Sequence, residues 1–133
     1  MSSYLAGSFV VYQIDSKIAW LNVPAELIEQ CDAVSAEVAQ SMAMQALNKT
    51  PHATISLSIT GHLGPDAPNE LDGTAWLGFA DRSADPSSKK LHLHADVKDG
   101  LRARQRLIVR HERQQDAVRQ CLSFLCEQLA ETH

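Results

Sequence analysis

Residues 54–80 read TISLSITGHLGPDAPNELDGTAWLGFA, and three local patterns follow one another in this stretch. Over residues 54–60 apolar and polar side chains alternate, with Ile55, Leu57 and Ile59 on one side and Ser56, Ser58 and Thr60 on the other. That two-residue period predicts a half-buried strand. Residues 61–73 are dense in Gly, Pro, Asp and Asn, which supply unusual φ angles and turns closed by side chains, so they read as a long loop. A strand resumes at Thr74 and runs to residue 80.

Downstream, the turn-like DRSADPSS leads into a strand over residues 90–97, expected to pair with residues 74–80 as an antiparallel hairpin. Beyond Gly100 the chain has neither Gly nor Pro, and Val118, Cys121, Leu122, Leu125 and Leu129 line up as one apolar stripe. A long C-terminal helix is expected to pack that stripe on the sheet. Upstream, Val38, Met42, Ala46 and Leu47 repeat at helical spacing behind Ser35, whose hydroxyl can accept a free first-turn N–H. This predicts a helix over residues 36–48. A second helix over NVPAELIEQC ends near Asp32, with Pro24 in its first turn, and a short one spans residues 16–21. The β-branched, aromatic run GSFVVY at residues 7–12 reads as a buried strand. The order implies an α/β fold, a mixed sheet with helices covering it, in one domain covering residues 1–133.

With 133 residues, 44% of them hydrophobic, the chain can build one packed core. Its 12 Lys and Arg against 16 Asp and Glu give a formal charge of -4. That balance argues against nucleic acid or an anionic membrane as partner and for a small or proteinaceous one. There is no apolar run of the roughly 20 residues that a membrane span needs, nor a basic stretch before the N-terminal apolar run, so a cytoplasmic protein is expected. Cys31, Cys121 and Cys126 lack CxxC spacing and read as reduced, mostly buried thiols. His92 and His94 share a strand face, but two histidines without a third ligand suggest a solvent-facing side, not a metal site.

Four segments carry a more specific signal. The first, SSYLAGSFVVYQIDSK, has a Ser-Ser pair, a strand-like run, Tyr12 and then Lys17 five positions on. The second is LNVPAELIEQCDAVSAEVAQSMAMQAL. The third, ISLSITGHLGPDAPNELDGTAWLGFA, holds Thr60, Gly61, Gly64, Pro65, Gly73 and Thr74. The fourth is the pair Arg106 and Arg110 at the head of the last helix. In this order they resemble the CinA C-terminal domain family, whose members deamidate nicotinamide mononucleotide (NMN) as stand-alone enzymes or fused domains. The match covers nearly the whole chain and implies a three-layer α/β/α sandwich on a mixed, mainly parallel sheet of about four strands, with the family's first strand missing. Asn22, Cys31 and Asp32 depart from the pattern, as do Asp66, Ala67 and Asp72 in the loop, where the glycine-rich middle and the Pro-Val pair before Gly73 are lost.

The resemblance implies a Ser-Lys type of amide hydrolysis, with Tyr12 and Lys17 as catalytic residues and Thr60, Gly61, Gly64, Gly73, Thr74 and Arg106 as substrate-binding residues. It implies no metal and no cofactor, an NMN-like nucleotide as ligand and a homo-oligomeric state. For Lys17 to act as base it must be neutral, which partial burial favours by disfavouring the ammonium. Tyr12 would orient it or relay a proton. Read without the resemblance, Tyr12 is a strand-end aromatic, Lys17 and Arg106 are solvated helix residues, and Thr60-Gly61 opens a plain turn. The family's nucleophile lies in a Glu-Ser-Cys/Thr-Thr-Gly-Gly motif upstream of the pair matched by Ser2 and Ser3, and the chain begins after it. The expectation is therefore a truncated or catalytically silent member, inactive as it stands, with an exposed sheet edge that promotes self-association. The alternative is a non-catalytic nucleotide-binding or assembly module, whose added loop acids would repel a phosphate.

Overall fold

The computed structural model describes residues 3–64, 67, 71–95 and 103–132. It contains α1 (Ile14–Leu21), α2 (Ala25–Cys31), α3 (Ala36–Asn48), β1 (Ile55–Gly61), β2 (Thr74–Asp81), β3 (Ser87–His92) and α4 (Ala103–Thr132). The strands form one antiparallel sheet in the order β1-β2-β3. An α/β fold is therefore correct, but the mainly parallel, four-stranded sheet is not. The connections explain the difference. Parallel neighbours need a crossover of a dozen or more residues, usually a helix. Here β1 and β2 are joined by a loop that closes back on itself, with His62 N–H donating to Thr74 O at 2.9 Å and Gly73 N–H to His62 O at 2.8 Å.

The expected strand at residues 7–12 is also absent. This run is irregular, and Phe9, Val10 and Tyr12 are 44%, 65% and 76% exposed while Val11 is buried. A β-prone sequence becomes a strand only with a neighbour to bond, and none of the three strands pairs with it. The strand expected at residues 90–97 starts earlier, at Ser87, and ends at His92; Asp96 and Val97 lie outside the described residues, as do Ser2, Pro65, Asp66 and Gly100.

The described residues group into two compact units, residues 1–60 with 76–89 and residues 61–75 with 90–133. In the first, Val11, Leu21, Val23, Ile28, Val38 and Met42 form a core on which Ile18, Leu27, Ala33 and Ala46 pack. Burial of aliphatic side chains such as Val38 and Leu21 contributes about 2 kcal/mol each. The Ser35 hydroxyl accepts from Val38 N–H at 3.2 Å and starts α3 where the sequence placed it. Pro24 stands just before α2, at its N-cap, with φ -60°. At the other end of α3, Arg82 donates to Leu47 O, Thr50 O and Ala53 O, bringing a cation to the negative end of the helix. Gly78 of β2 lies so close to α3 that a Cβ would overlap the Ala39 carbonyl.

The strand β1 buries its hydroxyl side at its end: Thr60 is buried and Ile59 is 39% exposed. Ser58 Oγ donates to Ala39 O, and Thr60 Oγ1 to Ala33 O at 2.8 Å. The alternation was correct, and polar bonds to the main chain around α3 determine which side is covered. Strand β2 is buried along most of its length, as a central strand requires.

In the second unit Val109, Arg113, Ala117 and Phe124 are the buried positions of α4, whereas Val118 and Leu122 are 59% and 56% exposed. The stripe expected to pack is thus only partly covered: Cys121 and Leu125 are half-buried, and Leu129 is 40% exposed. Polar anchors set the rotation: Asp116 accepts from His94 N–H at 2.8 Å, and Gln120 donates to His92 O at 3.0 Å. No helix among the described residues is long and apolar enough to cross a membrane.

Candidate functional site

In the first unit, α1 places Lys17 one turn before Leu21 on its buried side. Lys17 is 6% exposed, and its Nζ donates to Val11 O at 2.6 Å, with Tyr12 O further off at 3.4 Å. Among the described residues no carboxylate pairs with it. Burial holds its pKa below the ordinary lysine value, because the ammonium loses hydration that one or two carbonyls replace only in part. Tyr12 meets the amine through the main chain, while its phenol ring lies exposed. Thr60, in the same unit, spends its hydroxyl proton on Ala33 O, so towards a ligand it offers only lone pairs.

In the second unit, Gly61, His62, Leu63, Gly64, Ala67 and Arg110 line a cleft of about 340 Å³. Gly61 is a glycine because a Cβ would come within 2.7 Å of Ala75 Cβ. Gly64 and Gly73 have φ of 57° and 76°, the left-handed region that favours glycine. Thr74 is buried and closes the loop, its N–H donating to Leu71 O at 2.9 Å. Of the two arginines at the head of α4, Arg110 lines the cleft; Arg106 is exposed one turn earlier and is not among the lining residues.

Behind the loop lies a group that the sequence reading missed. Arg113, 4% exposed, grips Asp72 with both terminal nitrogens, at 2.7 and 3.1 Å, and also donates to Leu63 O at 2.8 Å. Asp72 is therefore not a bare charge that repels a phosphate, as expected above; its carboxylate is matched by a guanidinium. A signal was present, since Arg113 falls four positions from both Val109 and Ala117 on a stripe of otherwise apolar residues. Two buried nitrogens, His62 Nε2 and Arg113 Nε, have no hydrogen-bond partner among the described residues.

No group of three metal-ligating side chains occurs among the described residues; His92 ends β3 and His94 lies beyond it. Cys31 and Cys121 are half-buried, and burial raises the Cys121 thiol pKa; Cys126 is exposed, contrary to the expectation of mostly buried thiols.

Comparison with known proteins gives a consistent result. The family model described as the CinA C-terminal domain matches residues 1–127. A CinA-like protein of Cytophaga hutchinsonii is 40% identical over 84 residues, 62% of this chain and 20% of that protein. The crystal structure of the competence/damage inducible protein CihA of Agrobacterium tumefaciens superposes with a TM-score of 0.73 at 26% identity, covering 90% of this chain and 66% of that one. A competence-damaged protein (CinA) superfamily structure from Escherichia coli gives a TM-score of 0.60 at 29% identity, over 66% and 51% of the two chains. The chain spans about a fifth of the length of the curated relatives it matches.

Proposed function

Because the chain belongs to the CinA C-terminal domain family, we propose that residues 1–133 carry a nucleotide-binding cleft and a proton-accepting lysine of the NMN deamidase type, each in its own unit, and do not hydrolyse the carboxamide of NMN by themselves. Full hydrolysis to nicotinate mononucleotide and ammonia needs a nucleophile, and no Glu-Ser-Cys/Thr-Thr-Gly-Gly stretch occurs in this sequence.

The observation that carries the reading is the cleft at Gly61, His62, Leu63, Gly64 and Arg110. A turn at residues 61–64 beside the Arg110 guanidinium suits a phosphate monoester, which seeks N–H donors and a planar cationic fork. Arg110 takes the role that the resemblance gave to Arg106. Thr60, Gly73 and Thr74 shape the turn. Lys17 supports the other part of the reading, since burial lowers the pKa of its amine and so favours the neutral form that a base needs. The ligand is a cytoplasmic pyridine nucleotide.

Calorimetry with NMN and with nicotinamide riboside, beside an ammonia-release assay, tests this. Binding of NMN with at least tenfold preference over the riboside, without ammonia, is the expected result. Equal affinity for the two ligands overturns the phosphate cleft, and ammonia release overturns the need for an added nucleophile.

A second reading, a homo-oligomeric assembly module, draws on the exposed side of α4, where Leu107, Ile108, Val118 and Leu122 are each more than half exposed. Sedimentation at micromolar concentration decides it, and a monomer removes it.

A further inference from the structure

The resemblance supplies no acid at position 72 and no role for position 113. Yet these two side chains, 41 positions apart, form a two-pronged ion pair with side-chain exposures of only 17% and 5%. The same guanidinium also holds Leu63 O, so one side chain ties down both ends of the loop that separates β1 from β2. The adjacent glycines are shaped by it. A Cβ on Gly64 would overlap Asp72 Oδ1 and a terminal nitrogen of Arg113, and a Cβ on Gly73 would stand 3.4 Å from Arg113 Cζ and Nε.

We infer that Arg113 and Asp72 are positioning residues: together they hold the turn at residues 61–64 in the shape that presents its main chain, with Arg110, to a phosphate-type anion. On this account Gly64 and Gly73 are glycines to admit the guanidinium, not the ligand. Arg113 does not itself bind the anion, since its terminal nitrogens are occupied and it does not line the cleft. Its charge cancels that of Asp72, which leaves Arg110 as the cation lining the cleft. Only arginine suits the task, because its planar fork stays charged and reaches the carboxylate and Leu63 O at once. The inference rests on the nucleotide reading of the cleft.

The test uses the full 133-residue chain with NMN and inorganic phosphate as probes. The double variant Asp72→Asn/Arg113→Gln removes the pair but keeps the local charge at zero, so a change in anion affinity reports geometry. Two readouts are taken: phosphate and NMN affinity, and amide hydrogen exchange at Gly73 and Thr74, whose N–H groups close the loop, against Val38 in α3. Exchange at Gly73 and Thr74 is expected to accelerate at least tenfold with Val38 unchanged, and both affinities to fall about tenfold as the preformed turn is lost. Arg113→Lys, which keeps the charge and one donor, should fall between, and replaces the double variant if that unfolds. Unchanged exchange overturns the inference, as does unchanged affinity where the wild type binds. If the wild type binds neither probe, the nucleotide reading fails and the exchange measurement alone decides whether the pair holds the turn.

Discussion

Lys17 and Arg113 are buried to nearly the same degree, at 6% and 4% exposure, one in each compact unit. Their partners differ in kind. Lys17 has the Val11 carbonyl at 2.6 Å and, among the described residues, no acid, whereas Arg113 has a carboxylate on both prongs and a carbonyl besides. The difference follows from the side chains. An ammonium in a poor solvent can give up its proton, so burial appears as a lowered pKa. A guanidinium cannot, and its charge must be met by another. Burial thus lowers the pKa of one cation and leaves the other held by a matched carboxylate.

The largest effect should come from breaking that ion pair. Asp72→Ala leaves a permanent charge under cover and should cost about 3 kcal/mol in chemical denaturation. Lys17→Met, which loses one hydrogen bond but also the desolvation penalty, should stay within about 1 kcal/mol at pH 7. Equal losses would break the contrast. Next in size, Gly64→Ala should cost about 2 kcal/mol, part from its left-handed φ and part from overlap with the ion pair. In an Arg113→Met background the second part should shrink, and a thermal-melt double-mutant cycle would show it; strict additivity would detach Gly64 from the pair.

The smallest effect sharpens the other half of the comparison. Lys17 has a folded pKa below its unfolded value, so between the two the unfolded chain binds more protons and stability rises with pH. The penalty of burying the ammonium is fully present below the folded pKa and is relieved as pH climbs through it towards 10.5. Melting from pH 7 to 10 should therefore favour the wild type over Lys17→Met increasingly, by at most about 1.4 kcal/mol per pH unit. A constant difference would mean that Lys17 stays charged throughout.

Much of the site's frame was legible in sequence. Helix α3 and its Ser35 cap, the loop at residues 61–73 and its glycines all rest on short-range rules. Arg113 was not legible, because an arginine on a helix is ordinarily solvated and nothing local links it to an acid 41 positions away. The choice of Arg110 over Arg106 for the cleft was equally hidden, since the two share one face of the helix and only their height along α4, one turn apart, distinguishes them. The run at residues 7–12 misled for the opposite reason: its strand preference is real, but pairing is not a local property.

The sequence alone determined where helices start, where the chain turns and which family pattern it follows, because caps, periodicity and glycine φ preferences act within a few residues. Only the tertiary structure decided which side of β1 and of α4 is covered, which arginine lines the cleft and which is a strut, and that Lys17 is buried. Those outcomes depend on burial and on partners far apart in the chain, and a charge acquires its meaning from what surrounds it.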